Sequence, residues 1–388
     1  MEIQRDLVTV GMSEPESIRG ARWGWWVVMV HKLVLGGAMA AFIAFAPNWF
    51  YSVKVSNFDR PLLTFGDRLE AHFITNDGSN YAALAQEGYK KGTLTSAFYP
   101  VWPALMRAGA WFTGGNVVWA GILLSNLFSL AAAGLFYDWV ARTHGVSVAR
   151  WSLLFFLAMP GAAFFFTAYT ESLFLLLVIL CFRWLTAGRI WAAAALAFLL
   201  PMTRAVGIFI LAPLLWTLIS QRRRAWDYLS LLLPAAGWAA YLGIMYLATG
   251  NPWEGFQAQR HFPNQPSLAN MVNLAAAGKA FLNYDGFHEP TTSMLDRALF
   301  VGFLLSLPFM WRLNRTYFWY ALPVGLVPAL TNYWMSYTRY LVAVFPLCIL
   351  LAEHVRHPGR RWVGWFTAAG LAAAQEVVLW RYLSFRWA

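Results

Sequence analysis

The chain has 388 residues, of which 59% are hydrophobic and only 12% are charged. Soluble domains carry about 25% charged residues, so this composition excludes an ordinary soluble protein of this size. The formal net charge is +11. The basic residues lie in short loops between apolar segments, which is the pattern of membrane topology rather than of nucleic-acid binding.

The N-terminus begins with a segment of mixed charge, residues 1–6, without the small-residue cleavage site of a signal peptide. The apolar stretch that follows is also too long for a signal peptide, so we predict a retained first span. The two cysteines, Cys181 and Cys348, lie inside apolar segments. They provide neither a disulfide framework nor a metal cluster.

Hydropathy predicts an all-α polytopic membrane protein formed by one transmembrane domain over residues 1–388. A membrane span needs about 20 apolar residues, or somewhat fewer inside a bundle. By this criterion the sequence predicts eleven spans, at about 23–46, 117–140, 150–167, 171–187, 190–202, 205–219, 227–248, 294–312, 317–333, 338–353 and 362–383.

Basic loops orient these spans, because cytoplasmic loops carry an excess of Lys and Arg. With the N-terminus inside, the inner segments contain Arg142, Arg189, Arg222, Arg223, Arg224, Arg315, Arg356, Arg360 and Arg361. The apolar stretch 98–113 carries two prolines and Arg107, and counting it as a span would place the later basic loops outside. We therefore predict that 98–113 is an interfacial or re-entrant helix.

Two long polar loops, about 47–116 and 249–293, fall on the outer side of this topology. They contain eight of the 18 acidic residues of the chain. Long loops in a compact protein usually serve a function.

Asp77 stands in the first loop, just before a segment that can form a helix from Tyr81 to Gln86. A carboxylate at that position can be a simple helix N-cap. It can also be a general base that takes a proton from a hydroxyl group. The sequence alone leaves both roles open.

Three further polar positions fall at outer ends of predicted spans. Glu171, after Thr170, is either part of a helix-capping arrangement or a functional acid, since carboxylates at that depth are costly. Arg204 and Arg339 either reach lipid headgroups or bind a carboxylate or a lipid phosphate. All three residues and Asp77 are predicted to lie on one face of the membrane.

The segment 250–262 opens the second outer loop and mixes aromatic rings with amides, Arg260 and His261. Such a strip suits sugar binding, with rings under apolar sugar faces and amides on hydroxyl groups. It equally suits an interfacial helix lying on the membrane.

With these residues in view, the chain resembles the PIG-V-like mannosyltransferases of the GT-C glycosyltransferase superfamily. The resemblance covers about residues 65–350 and rests on an ordered set of motifs: Asp77-Gly78 with Tyr81, Gly88-Tyr89, Phe98 to Pro103, Tyr169 to Ser172, Thr203-Arg204 with Gly207, Phe256 with Gln257 and Gln259, and Arg339-Tyr340 with Phe345-Pro346. The chain departs from many members at Thr75-Asn76 and Asn80, where they have Arg-Trp and His.

The resemblance implies a GT-C-type fold with a large first outer loop carrying interfacial helices. It implies a polyprenyl- or dolichyl-phosphate-sugar donor, a glycan or glycolipid acceptor, and a catalytic Asp that maps onto Asp77. We expect Arg339 and Arg204 to bind the donor phosphate. The expected substrate contacts are Tyr81, Tyr169, Glu171, Gln257, Gln259 and Arg260.

The sequence thus predicts an inverting membrane glycosyltransferase, moving a sugar such as mannose on the outer or luminal face. No metal or other cofactor is expected, and neither is a nucleic-acid partner. The chain is shorter than typical eukaryotic members of this family, which favours a protein of a prokaryotic plasma membrane. The basic loops predict a cytoplasmic N-terminus. Two alternatives remain: a flippase or transporter of a lipid-linked substrate, and a non-catalytic assembly subunit.

Overall fold

The fold is known from a computed structural model that describes residues 14–46, 62–262, 273–330 and 334–386. Within these ranges the regular structure is helical, with one isolated β-bridge between Thr292 and Trp334. The α-helices are α1 Glu14–Phe45, α2 Phe65–Phe73, α3 Asp77–Glu87, α4 Val101–Gly109, α5 Val117–His144, α6 Val146–Ala158, α7 Glu171–Thr186, α8 Ile190–Ala197, α9 Leu211–Ser220, α10 Leu232–Thr249, α11 Glu254–Gln259, α12 Leu274–Leu282, α13 Met294–Leu313, α14 Arg315–Leu326, α15 Tyr337–Leu341, α16 Pro346–Val355 and α17 Arg361–Leu383.

Short 3-10 helices join or extend several of these elements. They are Leu94–Ala97, Ala110–Thr113, Pro160–Phe166, Ala205–Ile210, Ala225–Leu231, Val327–Ala329 and Pro358–Arg360.

Within the described ranges, five helical segments are long and apolar enough to cross a membrane, which makes this a multi-pass helical membrane protein. They are Arg22–Phe45, Val117–His144, Ala225–Thr249, Met294–Leu313 and Pro358–Leu383. Each coincides with one of the predicted spans, so the all-helical membrane class is confirmed.

The other six predicted spans are short or interrupted. Helix α6 and the 3-10 helix Pro160–Phe166 form one apolar segment bent by 75°, where Pro160 cannot donate a helical hydrogen bond. Helix α8 has 8 residues, roughly 12 Å at 1.5 Å per residue, which is far short of a bilayer core of about 30 Å. The total of eleven spans therefore stays a prediction.

Polar side chains support the backbone of the bent segment. The carbonyl oxygen of Phe165 accepts hydrogen bonds from Lys32 Nζ at 2.8 Å and Ser129 Oγ at 3.2 Å. The carbonyl of Phe166 accepts from Asn126 Nδ2 at 3.3 Å. Non-helical backbone inside a membrane is tolerated only where such groups find partners within the protein.

The first predicted outer loop contains helices α2, α3 and α4. Helix α3 includes the predicted helical stretch from Tyr81 to Gln86 and extends it at both ends. Helix α4 has 9 residues and packs on α5. That 98–113 forms an interfacial or re-entrant helix stays a prediction. Residues 47–61 and 263–272 of the two loops lie outside the described residues.

Helix α5 forms the centre of the packing, in contact with α1, α4, α6 and α7. Two glycines permit close approach. A Cβ atom on Gly134 would lie 2.6 Å from the ring of Trp25, and one on Gly121 would lie 2.9 Å from Ala168. This packing places the start of α7 beside the start of α3.

Candidate functional site

Asp77 is the first residue of helix α3. Asn76 occupies the N-cap position with a left-handed φ of 58°, so the interpretation of Asp77 as the N-cap is wrong. The Asp77 carboxylate instead accepts a hydrogen bond from Arg339 Nη1. Its side chain keeps 20% of its surface exposed, so it is within reach of a substrate.

Glu171 is the first residue of helix α7, and its side chain is only 3% exposed. Its Oε1 atom accepts from Arg339 Nε and forms an ion pair with Arg204 Nη1 at 2.6 Å. Thr170 holds the predicted N-cap position but makes no capping hydrogen bond. Its hydroxyl group accepts from Arg204 Nη1 at 3.1 Å instead.

Both arginines turn inward, so the alternative that they reach lipid headgroups is wrong for this structure. The Arg339 and Arg204 side chains are 7% and 12% exposed. The Arg339 guanidinium lies 4.5 Å from the ring centroid of Tyr169, and that of Arg204 lies 5.6 Å from the ring of Tyr340. Aromatic faces at these distances attract cations.

The ion-pair cluster therefore consists of Asp77, Glu171, Arg204 and Arg339, drawn from four distant parts of the chain. Two carboxylates and two guanidinium groups balance in formal charge. Burying such charges costs free energy that the pairing repays only in part, so a buried network of this kind is weak support for stability. A functional role therefore explains this buried cluster better than a contribution to stability does.

Two tyrosines expected at the site border this cluster. The Tyr81 hydroxyl lies 3.4 Å from Thr170 Oγ1, and the Tyr169 hydroxyl donates to the carbonyl of Thr75 at 2.5 Å. Burial raises the pKa of Tyr81, with a smaller contribution from the nearby Asp77 charge. Tyr81 thus carries a neutral hydroxyl group at physiological pH.

The structure does not bring Gln257 into the cluster. This side chain lies on the exposed side of helix α11, and its amide oxygen accepts from Asn251 Nδ2 at 2.9 Å. Gln259 and Arg260 follow at the end of the same helix. The segment reaches the cluster only indirectly: the ring of Phe262 contacts that of Phe98, which in turn contacts the ring of Tyr81.

Two residues near the cluster were not predicted as site residues from the sequence. Phe164 stacks on Tyr169 at 5.3 Å and lies 5.5 Å from the Arg339 guanidinium, but a Phe within an apolar stretch carries no sequence signal. Asp296 accepts from the backbone amide of Thr338. An acid inside a predicted span was a signal that could have found it.

Neither a metal-binding group nor a similar protein helps to assign a role to this site. Among the described residues, no group of three or more His, Cys, Asp or Glu side chains is placed to hold a metal ion. No protein-family model, no curated protein and no solved structure matches the chain. Fold and site together define a helical multi-pass membrane protein with a buried mixed-charge cluster.

Proposed function

We propose that this protein is an inverting membrane glycosyltransferase that uses a polyprenyl- or dolichyl-phosphate-linked sugar, such as mannose, on the outer or luminal face. One observation carries the proposal. A partly exposed carboxylate, Asp77, contacts Arg339, which is one of two largely buried arginines that share Glu171. Such an arrangement offers a base and a phosphate-binding group side by side.

In the proposed reaction, the oxygen of an acceptor hydroxyl group forms a bond to the anomeric carbon as the bond from that carbon to the phosphate oxygen breaks. Asp77 takes the hydroxyl proton, as the carboxylate base does in inverting glycosidases. The lipid phosphate leaves with the electron pair. The two arginines stabilise the charge that develops on it.

The unequal exposure of the two carboxylates supports assigning them different roles. Glu171 is almost fully buried and contacts both guanidinium groups, so it is suited to orienting them. Asp77 is the more exposed and contacts only Arg339 within the cluster. A base must reach the substrate hydroxyl, which favours Asp77.

The proposal is tested by Asp77→Asn in purified protein. The substitution keeps the size of the side chain and leaves Glu171 to hold both arginines. We expect the variant to fold and to bind donor lipid, because loss of a negative charge does not weaken binding of a phosphate. Sugar transfer should fall by about 100-fold or more, measured with radiolabelled donor.

Two control variants sharpen this test. Glu171→Gln should weaken donor binding as well as transfer, because both arginines lose their shared partner. Glu87 lies at the opposite end of α3, where its exposed carboxylate pairs with Lys90 at 2.7 Å. The Glu87→Gln variant should therefore transfer sugar at the normal rate. Full activity of Asp77→Asn beside an inactive Glu171→Gln that still binds donor would reassign the base to Glu171.

A flippase or transporter is the second candidate, favoured by the polar groups deeper in the bundle at Lys32, Asn126 and Ser129. These groups are hydrogen-bonded to one another or to the bent backbone, which accounts for them without a transport path. Uptake of labelled lipid-linked sugar into vesicles with no covalent product would favour the transporter.

A further inference from the structure

We propose that Asp296 is a positioning residue that fixes Arg339 in the ion-pair cluster. This inference rests on the proposed function, because it assigns Asp296 a task in the same site. The residue lies in the first turn of helix α13, and its side chain is fully buried. A carboxylate at such a position in a membrane helix is costly and calls for a reason.

The carboxylate of Asp296 reaches the segment that carries Arg339. Its Oδ1 atom accepts a hydrogen bond from the backbone amide of Thr338 at 2.8 Å. Thr338 directly precedes Arg339 on the short helix α15. Hydrogen bonds to charged groups are stronger than those between neutral groups, so this contact fixes the start of α15 firmly.

The neighbouring Arg297 makes its hydrogen bonds to backbone carbonyl oxygens. Ser293 Oγ caps the helix by accepting from the Asp296 amide at 3.1 Å. The Arg297 guanidinium donates to the carbonyl oxygens of Ala280, Phe281 and Asn283 around the end of helix α12, and to that of Ser293 at the start of α13. The Asp296 Oδ1 atom accepts from α15 instead, and the positive end of the α13 dipole stabilises a carboxylate at this position.

The opposite side of the same backbone is held by close packing. A Cβ atom on Gly161 would lie 2.6 Å from the Thr338 carbonyl oxygen and 3.1 Å from the Arg339 Cα atom. Ser336 enters the helix with a left-handed φ of 60°, and the Tyr337 hydroxyl donates to the Gly325 carbonyl at 2.9 Å. The Arg339 backbone is therefore enclosed between α13 and the bent segment.

This enclosure matters because Arg339 contacts two carboxylates with different nitrogen atoms. Its Nε atom binds Glu171, and its Nη1 atom binds Asp77. A small shift of the backbone would break one of these contacts or the other. Catalytic groups lose much of their effect with displacements of about 1 Å. A fixed Arg339 backbone is therefore a functional reason for burying the Asp296 carboxylate.

Sugar transfer by Asp296 variants tests the proposal. Asp296→Asn keeps an oxygen acceptor for the Thr338 amide and should keep most of the activity. Asp296→Leu removes the acceptor and should lower kcat by about 10- to 100-fold. In an Arg339→Lys background, Asp296→Leu should lower kcat little further, because the side chain that Asp296 positions is already altered. Ser306→Ala, a buried polar change on the same helix whose hydroxyl donates to the Phe303 carbonyl oxygen, is the matched control.

Hydrogen exchange at the Thr338 amide provides a measurement that does not depend on activity. The wild-type amide should exchange slowly, and exchange should accelerate in Asp296→Leu but not in Ser306→Ala. An unprotected Thr338 amide in the wild type would overturn the proposal even if the Leu variant did not fold. An equal loss of transfer in the wild-type and Arg339→Lys backgrounds would overturn it as well. Wild-type protein that transfers no sugar, yet shows the protected amide, would contradict the proposed function instead.

Discussion

Arg204 and Arg339 share Glu171, but they differ in their other contacts. Arg339 also binds Asp77, whereas Arg204 binds the hydroxyl group of Thr170. The two guanidinium groups therefore extend the site in different directions. Only the planar fork of arginine can hold two partners in such fixed directions, and lysine cannot replace it.

We therefore predict that Arg339→Lys lowers sugar transfer by about 10- to 100-fold, the range expected for loss of a charge-assisted hydrogen bond. Arg204→Lys should reduce transfer less, because it leaves the contact between Arg339 and Asp77 in place. Steady-state kinetics with purified protein would measure both. Unchanged rates in both variants would mean that neither guanidinium binds the phosphate.

His288 gives the protein a predictable response to acid. It is buried beside Ser293, with Glu289 and Arg381 near it, and burial lowers its pKa from 6.5 to about 4. The unfolded chain then binds a proton that the folded protein excludes. Stability should fall as the pH drops from about 6.5 to about 4, by at most about 3 kcal/mol from this residue.

The measurement is the melting temperature in detergent across that pH range. In His288→Gln the melting temperature should depend less on pH than in the wild type. His357→Gln replaces an exposed histidine and should leave the dependence unchanged. Identical pH slopes in the wild type and His288→Gln would show that His288 is not protected from protonation.

At the scale of elements, the bent segment formed by α6 and Pro160–Phe166 is the feature on which the site depends. It carries Phe164 beside Arg339 and Gly161 beside the backbone of α15. Lys32 from α1 supports it through the Phe165 carbonyl and lies 4.0 Å from the ring of Phe166. Removal of this support should loosen the segment.

We predict that Lys32→Met destabilises the protein by about 1–3 kcal/mol, the cost of leaving a buried acceptor with fewer donors. Lys32→Arg keeps a cationic donor and should be closer to the wild type in thermal unfolding. If Lys32→Met were as stable as the wild type and also abolished uptake of a lipid-linked substrate, the transporter hypothesis would replace the enzyme.

For the whole molecule, the central question is whether the cluster lies on the outer side of the membrane. The buried Cys181 and Cys348 provide a low background for labelling with an impermeant thiol reagent. Single cysteines introduced at the exposed positions Lys91 and Asp285 should react in intact cells. One at Arg224 should react only after the membrane is opened. The opposite result would place the site on the cytoplasmic side.

The sequence by itself determined the class of the protein and the identity of the main polar residues. Long apolar segments specify membrane helices because lipid leaves the backbone no other way to satisfy its hydrogen bonds. Glu171, Arg204 and Arg339 stand out in the sequence because charged groups near an apolar environment are rare and costly. Asp77 stands out because it precedes a segment that can form a helix and matches the catalytic Asp of the family that the chain resembles. These are local properties, which composition and hydropathy are able to reveal.

Only the tertiary structure decided how these residues meet. Residues 77 and 339 are far apart in the chain, and no periodicity predicts that Arg339 contacts both carboxylates. The same limit applies to Gln257, which the sequence grouped with the site but which contacts Asn251, and to Asp296, whose role depends on the Thr338 amide. Long-range contacts follow from how bent and short helices pack, and packing depends on shapes that a hydropathy pattern does not encode.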